Sequence, residues 1–540
     1  MRKQDVDYSL YLVTDSTPAV LGPGRDVCAV VEAALPPRGS VTCVQFRDKT
    51  GDTGALVATA RRLHALTQRA GVPLLVNDRV DVALAVGCEG VHIGQDDVDL
   101  ATARRLLGED KIIGVSVSNV EGMLEACRGG ADYLGIGTVF ATATKENTKS
   151  IIGVDGLQQI LLRIPAESPV KTVCIGGINA SNTSRVAWQS SNPAPHHSLD
   201  GIAVVSAIMG AANPEAASRE LLRLFRTPPP FAPPSPRHTI TTTTDELLRR
   251  VPDLVRAVVA RTPLSHNMTN LVVQNLAANV ALAVGASPIM ANYGEEAADL
   301  ARLGGALVVN MGTVTPEGLA NYLKALEAYN GAGRPVVYDP VGAGATAVRR
   351  AATKTILGAG YIDVLKGNQS EVRACIAASG MSDDQTTEVQ QQRGVDSGPG
   401  EADAAKLGAA IRDLSTLRKN VVVATGKTDY VTAGGADGPV FAVDNGDDYL
   451  GMVTGTGCCL GTTISAYVAV AAASPEDRLP AVVAALLHYN IAAELAAARD
   501  DVRGPGTFVP AFLDELYCVR NATVDGDLGW LKRARVSVLL

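Results

Sequence analysis

The sequence predicts two α/β domains: a (β/α)8 barrel, and after it a mostly parallel sheet between two layers of helices. The chain has 540 residues, more than a single hydrophobic core usually organises. Short apolar runs alternate with helix-forming segments in both halves, as they do in parallel sheets. A Pro- and Thr-rich stretch at 227–244 divides the halves, and its composition is typical of an extended linker between domains at 1–226 and 245–540.

The composition is that of a globular α/β protein, and it argues against several functional classes. Hydrophobic residues make up 46% of the chain but aromatic residues only 4%, which is typical of cores rich in Ala and Val. A net charge of −8 without any basic cluster argues against nucleic-acid binding. The nine cysteines are scattered without metal-ligand spacing, so we expect reduced thiols and a cytoplasmic protein. The most apolar tracts, 458–474 and 480–498, are expected to be buried helices rather than membrane spans.

Eight short apolar runs in the first half each predict a β-strand, with helix-forming segments between them. The runs cover residues 8–14, 41–47, 73–78, 90–95, 111–117, 131–140, 170–178 and 201–208. Eight parallel strands that alternate with helices close into a barrel, and barrel enzymes carry their active sites at the C-terminal ends of the strands.

Polar side chains are concentrated where these predicted strands end. They are Gln45, Arg47, Lys49, Asn77, Asp78, His92, Gln95, Asp97, Ser116, Thr142, Thr144 and Lys145. The last two strands end instead in small residues, Gly176-Gly177-Ile178 and Ser206-Ala207-Ile208, which let backbone N–H groups approach a phosphate. We therefore expect one shared site at the mouth of the barrel.

The charged members of this set predict the kind of ligand. Asp78 and Asp97 offer hard oxygen atoms that are suited to share a Mg²⁺ ion. Arg47, Lys49 and Lys145 add three positive charges. An anion with several charges needs both a metal and basic partners, so the combination predicts a pyrophosphate site.

The order of these motifs resembles the thiamine phosphate synthase family over about residues 8–222. The matching pieces are QFRDK (45–49), ND (77–78), HIGQDD (92–97), GVS (114–116), TATK (142–145), GGI (176–178) and VVSAI (204–208). In that family, hydroxymethylpyrimidine diphosphate ionises to a pyrimidine cation and pyrophosphate, and the nitrogen of thiazole phosphate attacks the cation. The resemblance implies a TIM barrel with this activity.

The same resemblance implies a role for each group. Asp78 and Asp97 would hold Mg²⁺ and Gln45 would contact the pyrimidine. The pyrophosphate would be held by Arg47, Lys49, Asn77, Ser116 and Lys145, and the thiazole phosphate by Thr142, Thr144, Gly177 and Ser206. Val205 is expected to bind substrate as well. Two positions depart from the family pattern: Gly137-Thr138 stands where Gly-Pro is usual, and Ser118 stands where His is common. Neither departure touches the metal or pyrophosphate groups.

The second half predicts a parallel sheet that is buried on both faces. Its apolar runs include 306–312, 335–341, 361–368 and 420–426, and helix-forming segments include 245–260 and 269–285. Near-continuous apolar strands of this kind are typical of sheets covered by helices on both sides. The Gln-rich stretch at 383–405 predicts a surface insertion.

Several strand ends in this half are suited to phosphate chemistry. The stretch VTGTGCC at 453–459 opens directly onto a helix, so backbone N–H groups and the helix dipole would face an anion, although it lacks the lysine of a Walker A loop. Asp339 and Glu371 are placed to order Mg²⁺ through waters. Cys458 begins the helix, where a thiol pKa is often lowered, and Cys459 is expected to be a small buried residue.

This half resembles the hydroxyethylthiazole kinase family of the ribokinase-like α/β/α sandwich fold, over about residues 248–520. The matching stretches are 269–290, 310–313, 339–346, 366–371, 422–426 and 453–458. The resemblance implies that ATP with Mg²⁺ phosphorylates the alcohol of the thiazole. By the same resemblance, Asp339 and Glu371 would bind the metal, and Arg349, Thr425 and Gly455 would bind the ATP. Met290 would contact the thiazole, and Cys458 would lie by the reacting hydroxyl as a base or a positioning group. A homo-oligomer built on a kinase trimer is also implied.

The two resemblances describe consecutive reactions, because the kinase makes the phosphate that the barrel consumes. We therefore expect a bifunctional enzyme of thiamine biosynthesis that takes small-molecule substrates and binds neither nucleic acid nor membrane. Two alternatives are a non-catalytic sensor of thiazole or thiamine phosphates, and a sugar kinase fused to a phosphate-binding barrel.

Overall fold

The computed structural model of the chain describes residues 2–142, 151–191, 198–232, 243–381, 404–435, 438–474 and 477–540. The chain divides into two compact units, Met1–Pro229 and Pro230–Leu540. Most of the predicted linker and the predicted insertion, as well as Thr144 and Lys145, lie outside the described residues.

The first unit is a closed barrel of eight parallel strands, as predicted. The strands are β1 (Leu10–Val13), β2 (Cys43–Phe46), β3 (Leu74–Asn77), β4 (Gly90–Ile93), β5 (Ile112–Val117), β6 (Tyr133–Gly137), β7 (Lys171–Ile175) and β8 (Gly201–Val204). Each strand pairs with the next, and β8 pairs with β1 through Tyr11 and Ala203 to close the barrel. The interior is filled by side chains that include Tyr8, Tyr11 and Tyr133.

Helices follow the strands and cover the outside of the barrel. They are α1 (Pro18–Leu21), α2 (Val27–Ala34), α3 (Thr53–Ala70), α4 (Val80–Val86), α5 (Leu100–Leu107), α6 (Val120–Arg128), α7 (Gly153–Leu162), α8 (Thr183–Gln189), α9 (Ser206–Met209) and α10 (Pro214–Arg226). Side chains cap several of them: Asp52, Asp99 and Asn119 each accept a hydrogen bond from a backbone N–H in the first turn of α3, α5 and α6.

The second unit contains a nine-stranded sheet in the order β10-β9-β11-β12-β13-β14-β15-β16-β17. The strands are β9 (Leu264–Met268), β10 (Ser287–Ile289), β11 (Ala306–Asn310), β12 (Val336–Asp339), β13 (Val364–Asn368), β14 (Val421–Thr425), β15 (Asp429–Thr432), β16 (Phe441–Val443) and β17 (Val536–Val538). The strands are parallel from β10 to β14, and β15–β17 extend the sheet as an antiparallel edge. The four strands named from the sequence are confirmed as β11–β14.

Helices cover both faces of this sheet. They are α11 (Thr244–Arg261), α12 (Gln274–Val284), α13 (Ala297–Leu303), α14 (Pro316–Gly331), α15 (Ala347–Ala359), α16 (Gln369–Ala378), α17 (Ala404–Arg418), α18 (Tyr449–Met452), α19 (Thr456–Val470), α20 (Arg478–Ala497) and α21 (Pro505–Asp525). Alternate strand residues face opposite layers: Val308 and Val337 pack with α11, α12 and α19–α21, whereas Val309 and Tyr338 pack with α13–α17. The predicted α/β/α sandwich is confirmed.

Helix α12 begins at Gln274, five residues later than the sequence predicts. Residues before it form a turn in which the Asn270 side-chain oxygen accepts hydrogen bonds from the backbone N–H groups of Val272 (3.1 Å) and Val273 (3.2 Å). An Asn side chain that binds the backbone two residues ahead competes with helix formation, which accounts for the later start.

Helix α20 is the one described helix that is long and apolar enough to cross a bilayer, and 89% of its apolar window is buried inside the protein. His488 lies at its centre, fully buried, with Nδ1 2.6 Å from Tyr467 Oη and Nε2 2.8 Å from the Leu516 carbonyl oxygen. Burial lowers the pKa of His488 to about 4.

We expect acid to destabilise the second unit through His488. Between the pKa of an unfolded histidine, 6.5, and the folded value of about 4, only the unfolded chain binds the proton, so falling pH removes up to about 3 kcal/mol of folding free energy. His488→Gln, whose amide can keep both hydrogen bonds, should flatten this pH dependence. The measurement is denaturant unfolding between pH 7.5 and 5 in a Trp188→Phe background, where Trp530 beside His488 reports alone. If the free energy of unfolding depended equally on pH with His488 and with Gln at this position, His488 would not be the group that titrates.

Candidate active sites

A cavity of about 820 Å³ opens at the C-terminal mouth of the barrel. Every predicted barrel residue that the structure describes lines it: Gln45, Arg47, Lys49, Asn77, Asp78, Asp97, Ser116, Thr142, Gly177, Val205 and Ser206. Both departures from the family pattern, Thr138 and Ser118, line the same cavity. The clustering expected from the strand ends is therefore present in the fold.

Asp78 and Asp97 lie side by side at the ends of β3 and β4. The pKa of Asp78 is raised, first by burial and then by the neighbouring Asp97, and Lys49 opposes this shift with its Nζ 3.2 Å from Asp78 Oδ2. Asp78 has a left-handed backbone (φ 62°), and its N–H donates to the His92 carbonyl oxygen at 2.8 Å. Two neighbouring carboxylates of this kind are suited to a divalent cation. Among the described residues no group of three or more His, Cys, Asp or Glu side chains that could hold a metal ion occurs.

Arg47 is held in place by Asp15, a residue that the sequence analysis did not select. Asp15 is buried, and its Oδ2 accepts a hydrogen bond from the Arg47 guanidinium at 3.1 Å. Its other oxygen accepts from the backbone N–H and the hydroxyl of Thr17. A fixed carboxylate orients the remaining guanidinium N–H groups. The signal in the sequence was an Asp just after the first strand, as at the other strand ends.

The glycines after β7 are required by their surroundings. Gly177 has φ 65°, and a Cβ atom there would lie 2.7 Å from the Cβ of Phe140. Gly176 has φ 105°, and its Cβ would lie 2.3 Å from Cγ2 of Thr138. Side chains at either position would fill the close approach between this turn and the loop after β6.

In the second unit, a buried ion pair lies at the ends of β12 and β13. Asp339 Oδ1 is 3.1 Å from Lys366 Nζ, and its Oδ2 accepts a hydrogen bond from the Asn310 side-chain amide at 2.8 Å. Lys366 also donates to the carbonyl oxygen of Gly457 at 2.8 Å, which ties the strand to the first turn of α19. The sequence analysis did not select Lys366, because the burial of a strand lysine under the first turn of a helix distant in sequence cannot be deduced from a motif alone.

Glu371 lies next to this pair. Its two carboxylate oxygens accept hydrogen bonds from the backbone N–H groups of Gly342 (2.9 Å) and Asn368 (2.8 Å). Burial and the neighbouring Asp339 raise the pKa of Glu371 to about 7. Burial also raises the pKa of Asp339, and the positive charge of Lys366 opposes that shift. The two predicted metal-site carboxylates are thus brought together.

The turn before α19 has the expected close packing. Gly455 has φ 96°, and a Cβ there would lie 2.6 Å from Cγ2 of Val273. Cys458 follows in the first turn, with its Sγ 3.6 Å from the Asn270 side-chain nitrogen. Burial and the charge of Asp339 raise the pKa of the Cys458 thiol to about 11. The expectation of a lowered thiol pKa was therefore wrong, because burial beside a carboxylate outweighs the helix N-terminus. Cys459 is fully buried, as expected.

The remaining predicted kinase residues lie at the same edge of the sheet but are not all adjacent. Thr425 ends β14 and is aligned with Asn368 on β13. Arg349 donates through its guanidinium to the carbonyl oxygens of Met311 and Val341 at 2.7 Å and of Gly312 at 2.8 Å. Met290 directly follows β10, and β9 and β11 lie between that strand and β12.

Comparisons with known proteins assign both halves. A family model described as "Thiamine monophosphate synthase" matches residues 10–208, and one described as "Hydroxyethylthiazole kinase family" matches residues 255–522. A "Thiamine-phosphate synthase" of Chloroflexus aurantiacus is 48% identical over 219 residues, 41% of this chain and 93% of its own. A "Hydroxyethylthiazole kinase" of Moorella thermoacetica is 45% identical over 256 residues, 47% of this chain and 87% of its own.

A third relative spans both halves. A "Probable thiamine biosynthetic bifunctional enzyme" of Schizosaccharomyces pombe is 40% identical over 541 residues, which cover 99% of each chain. These matches favour neither the non-catalytic sensor nor the sugar-kinase fusion. The chain belongs to the family of thiamine biosynthetic bifunctional enzymes, with a thiamine-phosphate synthase domain ahead of a hydroxyethylthiazole kinase domain.

Proposed function

We propose that the second domain transfers a phosphoryl group from ATP to the alcohol of hydroxyethylthiazole. The barrel then joins the resulting thiazole phosphate to hydroxymethylpyrimidine diphosphate and releases pyrophosphate and thiamine phosphate. The observation that carries this proposal is the barrel cavity, which is lined by every described residue that was selected from the sequence for the synthase site.

In the barrel, the chain's task is to stabilise a leaving anion and to exclude water. Arg47, Lys49, Asn77 and Ser116 would bind the pyrophosphate, and Mg²⁺ on Asp78 and Asp97 would neutralise part of its charge. Gln45 would contact the pyrimidine, while the backbone around Gly177 and Ser206 would bind the thiazole phosphate. No protein nucleophile is needed, because the pyrimidine ring bears the positive charge until the thiazole nitrogen attacks.

In the kinase domain, the residues around Asp339 would position ATP against the alcohol. Asp339 and Glu371 would hold Mg²⁺ through waters. The backbone N–H groups at Gly455 would face the transferred phosphoryl group, and Arg349 and Thr425 would contact the ATP. Met290 would contact the thiazole. We assign Cys458 to positioning of the alcohol, because a thiol with a pKa of about 11 is neutral at pH 7.

The Cys458 assignment predicts a small kinetic effect. Cys458→Ala should lower kcat for thiazole phosphorylation by less than about 10²-fold, which is below the range typical of a lost general base. Cys458→Ser should be closer to wild type, and synthase turnover should be unchanged in both variants. A loss greater than about 10²-fold in Cys458→Ala and Cys458→Ser alike would assign proton transfer to the thiol.

One incubation tests the whole proposal. The full chain is mixed with Mg²⁺, ATP, the thiazole alcohol and hydroxymethylpyrimidine diphosphate, and thiamine phosphate is measured with and without ATP. ATP-dependent product supports both activities in order. If product forms only from ready-made thiazole phosphate, the kinase assignment is wrong; if none forms from it either, the synthase assignment is wrong.

The assembly and its location belong to the same proposal. Leu271 and Val272, beside the kinase site, are 75% and 76% exposed, and apolar side chains exposed together favour a subunit contact. We infer a homo-oligomer built on a trimer of kinase domains, which light scattering on the purified chain will test. None of the nine cysteines forms a disulfide, which is consistent with a cytoplasmic protein.

A further inference from the structure

A continuous row of hydrogen bonds crosses the floor of the barrel cavity. Gln45 Nε2 donates to Tyr11 Oη at 2.9 Å, and Tyr11 Oη lies 2.7 Å from Tyr133 Oη. Tyr133 Oη lies 2.7 Å from His92 Nδ1, and His92 Nε2 lies 2.8 Å from Ser116 Oγ. The row links five different strands and joins the residue expected at the pyrimidine to one expected at the pyrophosphate.

The barrel interior is shaped to hold this row. Tyr11 and Tyr133 are buried, and their hydroxyls are hydrogen-bonded to each other; the Tyr11 hydroxyl also contacts the buried thiol of Cys43. Two glycines make room for the rings: a Cβ at Gly114 would lie 2.0 Å from Cζ of Tyr133, and a Cβ at Gly135 would lie 2.8 Å from Cε1 of His92. Any larger residue at either position would displace a ring of the row.

The donor at one end sets the direction of the whole row. Because the Gln45 amide nitrogen can only donate, Tyr11 accepts there. Its own proton goes to the Tyr133 oxygen rather than to the Cys43 sulfur, which is the weaker acceptor. Tyr133 then donates to His92 Nδ1, which leaves the proton of the neutral ring on Nε2, where it is donated to Ser116. Burial raises the pKa values of Tyr11 and Tyr133 well above that of an ordinary tyrosine, so both side chains keep the hydroxyl proton that they donate.

We propose that Tyr11, Tyr133 and His92 are positioning residues that fix the polarity of the two ends of the site. Gln45 must present its carbonyl oxygen to the pyrimidine, and Ser116 must present its hydroxyl proton to the pyrophosphate. The barrel therefore prefers a pyrimidine with an exocyclic amino group over one with an oxo group, since the oxo group would face another acceptor. This inference rests on the proposed synthase activity.

The test compares two substrates in two variants that each remove one oxygen atom. Tyr11→Phe breaks the row next to Gln45. Tyr8→Phe is the matched control. The centroid of the Tyr8 ring lies 4.9 Å from that of the Tyr133 ring, and the Tyr8 hydroxyl has no hydrogen-bond partner among the described residues. For each variant, kcat/KM is measured with the 4-amino hydroxymethylpyrimidine diphosphate and with its 4-oxo analogue.

Tyr11→Phe should lower the amino-to-oxo ratio of kcat/KM about tenfold, because the Gln45 amide becomes free to turn. Tyr8→Phe should leave the ratio unchanged. A purely structural role would reduce turnover of both substrates equally and keep the ratio, which would overturn the proposal. An equal fall of the ratio in Tyr8→Phe would overturn it as well.

A second measurement does not depend on turnover, so failure of the synthase assignment and failure of the row are distinguishable. ¹⁵N NMR of the full chain, with His92 assigned through His92→Gln, should show neutral His92 with its proton on Nε2. Tyr133→Phe, which removes the donor to Nδ1, should shift the resonances of His92. A proton on Nδ1 in the wild-type ring, or no response to Tyr133→Phe, would overturn the proposed direction.

Discussion

Replacing Arg47 with alanine is expected to lower thiamine phosphate formation by about 10²–10³-fold, the usual cost of removing one group that stabilises a developing anion. Arg47 lines the barrel cavity, and Asp15 holds its guanidinium in one orientation. The loss should appear mainly in kcat, because the charge on the departing pyrophosphate grows as the bond breaks. Kinase turnover should stay unchanged, since the two domains have separate cores.

Two further variants make this experiment specific. Arg47→Lys keeps the charge but loses the planar fork that faces Asp15 and would bind the pyrophosphate, so its activity should be intermediate. Arg38→Ala removes a surface arginine of the same domain, with a side chain that is 66% exposed, and should have no effect. Loss of kinase turnover in Arg47→Ala would indicate that the variant is unfolded or that the domains are coupled, and nearly full synthase activity would remove Arg47 from the chemistry.

The barrel fold and the location of its site followed from local patterns in the sequence. A short parallel strand is a run of mostly apolar residues, and a catalytic group at a strand end is a polar residue in the last positions of that run. Gln45, Asn77 and Ser116 occupy such positions, and the closed sheet brings them to one cavity. The pattern was sufficient because the closure of the barrel converts positions along the chain into neighbours in space.

The residues that support these groups were not predictable in the same way. Tyr11 and Tyr133 point into the barrel from the first halves of β1 and β6, where a tyrosine in the sequence is equally typical of an ordinary core. The thiol of Cys458 was misjudged for a related reason: its position at a helix start is visible in the sequence, but its burial beside Asp339 is not. Long-range burial determines both outcomes, and no local motif encodes it.

Lys366 is the second residue whose replacement should have a large effect. Its ammonium group is buried against Asp339 and near Glu371, and these two negative charges raise its pKa above the usual value although burial lowers it. Lys366→Met should therefore leave buried carboxylates without a counter-charge, at a cost of about 3–5 kcal/mol in the free energy of unfolding. Kinase activity should fall by at least about 10²-fold, because Asp339 and the first turn of α19 lose their common partner.

A double variant separates the two consequences of that change. Adding Asp339→Asn to Lys366→Met removes the carboxylate that is paired directly with Lys366, while Asn310 can still bond the amide, so part of the lost stability should return. Kinase activity should not return, because the proposed metal carboxylate is gone. Thermal unfolding and single-turnover phosphorylation of the thiazole alcohol are measured on the wild type, on Lys366→Met and on the double variant. If the double variant regained phosphorylation along with stability, the charges of Lys366 and Asp339 would serve folding alone, and the metal role of Asp339 would be lost with it.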